Sequence, residues 1–130
     1  MKILVTGVGG QLGYDVCKVL DARKIENKGV DLADFDITDA QATHDYIAAY
    51  RPGAVIHCSA WTAVDKAEDE LDKVRAVNTE GPRNIAKVCK EIGAKMLYIS
   101  TDYVFPGTGE RLYEPDDPTG PLGAYGSTKL

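Results

Sequence analysis

The strongest constraint in this chain is a run of glycines at one particular place. Lys2-Ile3-Leu4-Val5-Thr6 is a short apolar segment that reads as a buried parallel strand. It breaks at Gly7-Val8-Gly9-Gly10-Gln11-Leu12-Gly13, and a helical pattern follows, with Leu12, Val16, Val19 and Leu20 predicted to share its inner face. Gly7, Gly10 and Gly13 therefore form a GxxGxxG pattern between a strand and a helix. Glycine suits such a site for two reasons. A tight turn must bring backbone close to a pyrophosphate, and the helix must approach the sheet with no side chain between. The helix N-terminus then offers unpaired N–H groups and partial positive charge to the anion. Three glycines alone would also make a plain turn; the strand before and the helix after are what a nucleotide site adds.

The rest of the chain alternates in the same way. A polar second strand is expected around Ile25–Asp31, and Asp36-Ile37-Thr38-Asp39 reads as a loop whose Thr38 or Asp39 caps a helix over Ala40–Tyr50. Pro52-Gly53 ends that helix, and Ala54–Cys58 is the next strand. The acidic segment Asp65–Asp72 begins helical structure as a solvated face. Ile85, Val88, Cys89 and Ile92 form an amphipathic stripe with Pro82 in a first turn, Gly93 stops it, and Met96–Ile99 is a further strand. From Thr101 the chain is rich in proline and glycine until a helix starts near Tyr125. This alternation predicts an α/β fold, a Rossmann-like doubly wound parallel sheet with helices on both faces. At 130 residues the chain is long enough for one domain, residues 1–130.

Composition narrows the function classes. Fifteen basic residues against twenty acidic ones leave a net charge of −5, and no basic cluster exceeds two residues, which argues against a nucleic-acid partner. No apolar run approaches the ~20 residues of a membrane span, and the first apolar stretch lacks a signal-peptide layout. Cys17, Cys58 and Cys89 form no CxxC pair and lie in apolar segments, as expected of buried thiols in a reducing cytoplasm. His44 and His57 add no metal-ligand spacing, so no metal site is expected.

Two further groups of residues carry chemistry. In dinucleotide folds an acidic residue about 20 positions after the glycines meets the ribose. Asp31 is placed for that, with Asp34 and Asp36 as neighbouring alternatives, and a carboxylate there favours NAD by repelling a 2′-phosphate. Tyr125 and Lys129 are four apart and share one helical face. A tyrosine hydroxyl titrates near ~10; a neighbouring ammonium favours the phenolate and makes a tyrosine so placed a usable proton donor to a carbonyl. A Tyr–Lys pair at this spacing also arises by chance, and Tyr14 with Lys18 is a second instance. Position separates them, because Tyr125 follows the strand that ends in Ser100-Thr101-Asp102, and ligands bind at the C-terminal ends of parallel strands. Thr101 there supplies a hydroxyl for a substrate oxygen.

TGxxGxxG, YxxxK and an upstream Ser/Thr together resemble the extended short-chain dehydrogenase/reductases. Three longer strings narrow the resemblance: Thr62–Glu68 (TAVDKAE), Ser100–Gly107 (STDYVFPG) and Tyr125–Leu130 (YGSTKL). They are similar to the dTDP-4-dehydrorhamnose reductases over essentially the whole chain. The resemblance implies NADPH or NADH as cofactor and reduction of the C4 ketone of dTDP-4-dehydro-6-deoxy-L-mannose to dTDP-L-rhamnose for polysaccharide biosynthesis. It implies Gly10, Gln11 and Leu12 over the pyrophosphate, Asp31 at the ribose, and Asp36 and Ile37 beside the adenine. Ala60, Trp61 and Thr62 would line the nicotinamide side, and Thr101, Asp102 and Tyr103 would touch the sugar. Tyr125 would be the proton donor and Lys129 its partner at the nicotinamide ribose.

Members of that family are about twice as long, so the chain is expected to be the N-terminal, cofactor-binding part, with the sugar-nucleotide-binding part absent and turnover by this piece alone doubtful. A homodimer is an expectation for the full-length protein. Two other readings stand beside the reductase. One is another sugar-nucleotide epimerase or dehydratase, against which Tyr103 counts because dehydratases usually carry an acid after the aspartate. The other is a non-catalytic binding module resembling the methionine adenosyltransferase β subunit. A last helix of barely one turn is expected to fray over Tyr125–Leu130, since helix nucleation is costly without packing.

Overall fold

Four short strands, each four residues long, carry the fold in the computed structural model, which describes residues 1–130. β1 (Ile3–Thr6), β2 (Asn27–Val30), β3 (Ala54–His57) and β4 (Lys95–Tyr98) pair in parallel in the order β2-β1-β3-β4. β1 is central and buried along its whole length, as its unbroken apolar run requires. β2, polar in sequence, is shorter than the predicted Ile25–Asp31. It lies at the sheet edge, where only Val30 is fully buried.

Helices cover both faces. α1 (Gln11–Ala22) lies on one, over Ile3, Val5 and Ile56; α2 (Ala40–Tyr50) and α5 (Gly81–Ile92) lie on the other, where Leu4, Val30, Val55, Ile47, Ile85, Val88 and Cys89 form the main core. The side-chain period of two along β1 decides this division, with Leu4 on one face and its neighbours Ile3 and Val5 on the other. Asp39 caps α2 by accepting from the Gln41 and Ala42 N–H groups, each at 2.9 Å.

The inner face of α1 differs from the apolar stripe predicted from sequence. Leu12 and Val19 are exposed, and the buried side runs through Gly13, Val16, Cys17 and Leu20. The cause is steric. The Gly13 backbone lies against the Gly7 carbonyl so closely that no β-carbon fits, and this contact turns the helix so that position 13 faces the sheet.

The acidic segment forms α3 (Val64–Asp69) and α4 (Leu71–Arg75), broken at Glu70. α4 continues through a π-helical turn, Ala76–Glu80, into α5. Pro82 sits in the first turn of α5, as expected, but inside a continuous helical run. It has no N–H to offer the Asn78 carbonyl four residues back, and the Tyr98 hydroxyl donates to that carbonyl instead at 3.4 Å. A short 3-10 turn, Asp102–Val104, follows β4, and α6 (Ala124–Lys129) ends the chain.

Far from fraying, α6 is docked. The Thr79 hydroxyl donates to the Thr128 carbonyl at 2.8 Å, Asn78 donates to the Thr128 hydroxyl at 3.3 Å, and Gly126 presses on the Tyr103 backbone. Tertiary contacts hold this six-residue helix in place. No helix is long and apolar enough to cross a membrane.

Candidate functional site

The strand order reverses direction at β1: the chain moves outward from β1 to β2, then returns to place β3 on the other side of β1. Such a switch point opens a crevice at the C-terminal strand ends, where α/β sheets bind ligands. A cleft of about 470 Å³ lies there, walled by Gly7, Gly9 and Gly10 after β1, by Asp31, Asp36 and Ile37 after β2, and by Ser59 and Ala60 after β3.

The backbone of the glycine loop is built for this position. Gly7 has φ +74°, and a β-carbon on it would stand 2.7 Å from the Ser59 nitrogen and 2.8 Å from its α-carbon. The loop's own N–H groups are largely engaged: Gly7 and Val8 donate to the Val30 carbonyl, Gly10 donates to the Gly7 carbonyl, and Gly9 donates to Asp31 Oδ2 at 2.6 Å. Nothing in the chain accepts from the N–H groups of Gln11, Leu12 and Gly13, and Gly10 provides no side-chain cap. Those three donors, with the dipole of a twelve-residue helix behind them, are what an anion would meet.

Asp31 has two partners, Gly9 N–H at 2.6 Å and Leu32 N–H at 2.8 Å. It therefore ties the β2 end to the glycine loop, a role the sequence did not signal. Of the residues expected at the cofactor, Gly7, Gly10, Asp31, Asp36, Ile37 and Ala60 line the cleft. Gln11, Leu12 and Gly13 are not part of its wall: Gln11 and Leu12 follow Gly10 as the first residues of α1, and Gly13 lies against Gly7. Trp61 and Thr62 are not part of its wall. Trp61 is held from the other side, its N–H donating to Asn78 Oδ1 at 2.8 Å and its carbonyl accepting from Asn78 Nδ2 at 3.1 Å. Thr6, Phe35 and Val77 also line the cleft, and none of them was expected from sequence.

The second group gathers beside β4. Thr101 opens the 3-10 turn, its hydroxyl accepting from the Tyr103 N–H at 3.3 Å and donating to Asp102 Oδ1 at 3.2 Å. Thr101, Asp102 and Lys129 share one depression; Asp102, Tyr103 and Tyr125 share the next. Tyr103 and Tyr125 meet edge to face with centroids 5.7 Å apart. Tyr125 is half-buried, whereas Lys129, one turn on, is only 6% exposed, and burial lowers its ammonium's pKa. The alternative pair behaves as helix surface: Tyr14 is exposed, with Lys18 lying over its ring at 5.4 Å.

A row of residues in register, Thr6, His57 and Tyr98, connects the two groups across β1, β3 and β4. The Thr6 hydroxyl accepts from the Cys58 and Ser59 N–H groups, so its own hydrogen goes to His57 Nδ1 at 2.8 Å. The remaining proton of His57 is then on Nε2, which is buried and has no partner. Burial, with the nearby Lys129 charge second, pushes the His57 pKa down to about 4, so the ring is neutral at physiological pH.

Known proteins share this fold and much of this sequence. The sequence profile described as RmlD substrate binding domain matches residues 1–130. A dTDP-4-dehydrorhamnose reductase from Streptomyces griseus is 48% identical over 126 residues, 97% of this chain and 41% of its own length. The crystal structure of a dTDP-4-dehydrorhamnose reductase from Clostridium acetobutylicum superposes with a TM-score of 0.96 at 41% identity, covering 99% of this chain and 46% of that one. The corresponding protein from Bacillus anthracis, solved in complex with NADP, gives 0.94 at 36% identity over 98% of this chain and 46% of its own. The chain thus spans less than half the length of these relatives. With the profile matching from its first residue to its last, the chain belongs to the RmlD substrate-binding-domain family.

Proposed function

We propose that this chain is the dinucleotide-binding part of an NAD(P)H-dependent oxidoreductase, and that its reaction is reduction of the C4 ketone of dTDP-4-dehydro-6-deoxy-L-mannose to dTDP-L-rhamnose. One juxtaposition carries the reading: a glycine-walled cleft with three free helix N–H groups, and beside it a Tyr–Lys pair and a threonine hydroxyl at the next strand ends. The residues present fit a dinucleotide. Gln11 and Leu12 N–H groups bind the pyrophosphate, Asp31 meets the ribose, Asp36 and Ile37 flank the adenine, and Ala60 faces the nicotinamide side. Trp61 and Thr62 bound that side from the loop beyond it.

When bound, the reduced nicotinamide supplies the hydride. Tyr125 gives the proton of its hydroxyl to the ketone oxygen as that oxygen gains charge. Lys129, positively charged beneath the same helix face, favours the resulting phenolate and holds the nicotinamide ribose. Thr101 turns its hydrogen from Asp102 to the substrate oxygen, and Asp102 and Tyr103 contact the sugar. The partner is a nucleotide sugar, the product feeds polysaccharide synthesis, and the setting is cytoplasmic.

The test is oxidation of NADH and NADPH by the 4-keto sugar nucleotide, with the chain alone and with a form completed to the length of its relatives. Turnover by the longer form that Tyr125→Phe lowers by about 10²-fold or more supports the assignment. Cofactor binding without turnover in either form would move the chain to the binding-module reading.

A further inference from the structure

Lys129 poses a physical problem. Its ammonium is taken out of water, and no carboxylate pairs with it in the chain. The group it does meet is a ring face: Lys129 Nζ lies 4.2 Å from the centroid of Tyr98. The Tyr98 hydroxyl turns the other way, its one hydrogen shared between the Lys129 carbonyl at 3.3 Å and the Asn78 carbonyl at 3.4 Å. One tyrosine thus touches both ends of Lys129, the ammonium through its ring and the backbone through its hydroxyl.

Tyr98 is itself held. It is the last residue of β4, in register with His57, whose ring stacks on it at 6.0 Å and 13°. Because Thr6 donates to His57 Nδ1 and burial keeps that ring neutral, the platform under the ammonium adds no positive charge. The electron-rich face of a tyrosine attracts a cation most where water is excluded, which describes this position.

We infer that Tyr98 is a positioning residue for Lys129, its ring face fixing the ammonium at the C-terminal edge of the sheet and its hydroxyl fixing the last turn of α6. This rests on the reading of Lys129 as a group that contacts the bound dinucleotide. The ring governs the charged group, and the hydroxyl governs the helix end.

The experiment compares Tyr98→Phe, Tyr98→Leu, Tyr98 replaced by pentafluorophenylalanine, and Lys129→Met. Two quantities are read: NADH affinity by titration, and the NMR shifts of the Lys129 Cε protons. The fluorinated ring lacks the hydroxyl, as phenylalanine does, and reverses the polarity of the face, so its comparison with Tyr98→Phe isolates the ring and stays informative even if Tyr98→Leu fails to fold. Expected are Cε protons shielded in the parent and in Tyr98→Phe but displaced with the fluorinated ring. NADH affinity should fall about tenfold in Lys129→Met and in the fluorinated form, and stay within about twofold in Tyr98→Phe. If Lys129→Met weakens binding while the fluorinated ring behaves like phenylalanine, the inference about Tyr98 is overturned and the reading of Lys129 stands. If Lys129→Met leaves NADH affinity unchanged, the reading of Lys129 falls and takes the inference with it.

Discussion

Gly7→Ala isolates what the glycine loop requires of its backbone. Two costs arise at this position. A non-glycine residue at φ +74° pays about 1–2 kcal/mol for the left-handed conformation. The added β-carbon would also stand 2.7–2.9 Å from three backbone atoms of Cys58 and Ser59, which no side-chain rotation can relieve. Overpacking of that kind costs about 1–3 kcal/mol. Set against them is the smaller conformational entropy of the unfolded chain, worth about 0.4–1 kcal/mol in alanine's favour. The net loss is about 1–5 kcal/mol, a large part of the ~5–15 kcal/mol typical of a domain. Gly93→Ala is the matched control, because Gly93 has φ +73° and nothing within 4 Å of the added carbon. It pays the backbone cost alone, about 1 kcal/mol or less net. Urea unfolding of both variants gives the comparison, with a midpoint about 1 M lower for Gly7→Ala at unchanged slope. Equal midpoints for the two would refute the argument that close approach to β3, rather than φ, makes glycine necessary here.

The pKa of His57 is about 4 in the folded chain against 6.5 when unfolded, so the unfolded state binds the extra proton first. Stability should therefore fall as pH drops from 6.5 toward 4, by about 3 kcal/mol in all, and His57→Asn should flatten that part of a stability-against-pH curve. His44 acts in the opposite sense, because its neighbours Asp45 and Glu91 raise its pKa. Its contribution is present at low pH and lost as pH rises through that value, so His44→Gln is the control. Asn78→Ala leaves the Trp61 N–H and carbonyl without their partner and frees Thr128; a loss of about 2–4 kcal/mol is expected by urea unfolding. Ile85→Ala, at a fully buried position in the main core, should cost about 2–5 kcal/mol by the same assay. Asp31→Ala removes the carboxylate nearest the glycine loop from a cleft that no lysine or arginine lines, so NADPH affinity should rise relative to NADH in paired titrations. An unchanged ratio would remove Asp31 from the ribose.

Much of this molecule is legible from local pattern. The loop after β1, the cap at Asp39, the stop at Gly93 and the apolar stripe of α5 each depend on residues within a few positions of one another, where sequence spacing is the geometry. Asp31 reaches the cleft because its distance along the chain from Gly7 reflects one strand–helix–strand unit. The stripe of α1 was misjudged by about one position because periodicity weighs apolar side chains. A glycine with no side chain, pressed on the Gly7 carbonyl, set the helix's rotation instead.

The succession of strands and helices, the glycine loop between β1 and α1, and the two candidate chemical groups are legible in the residues alone. How those groups are held is a property of the folded chain. Asn78 joins the Trp61 loop to Thr128, 50 residues away, and Thr6 fixes the tautomer of His57 across 51. Tyr98 places its ring under Lys129 because β4 pairs with β3 in one register and α6 returns over that edge. Contacts of this separation follow from strand pairing and helix docking, which no local spacing encodes. That is why the docked last turn, the buried ammonium and the neutral histidine became visible only in the folded chain.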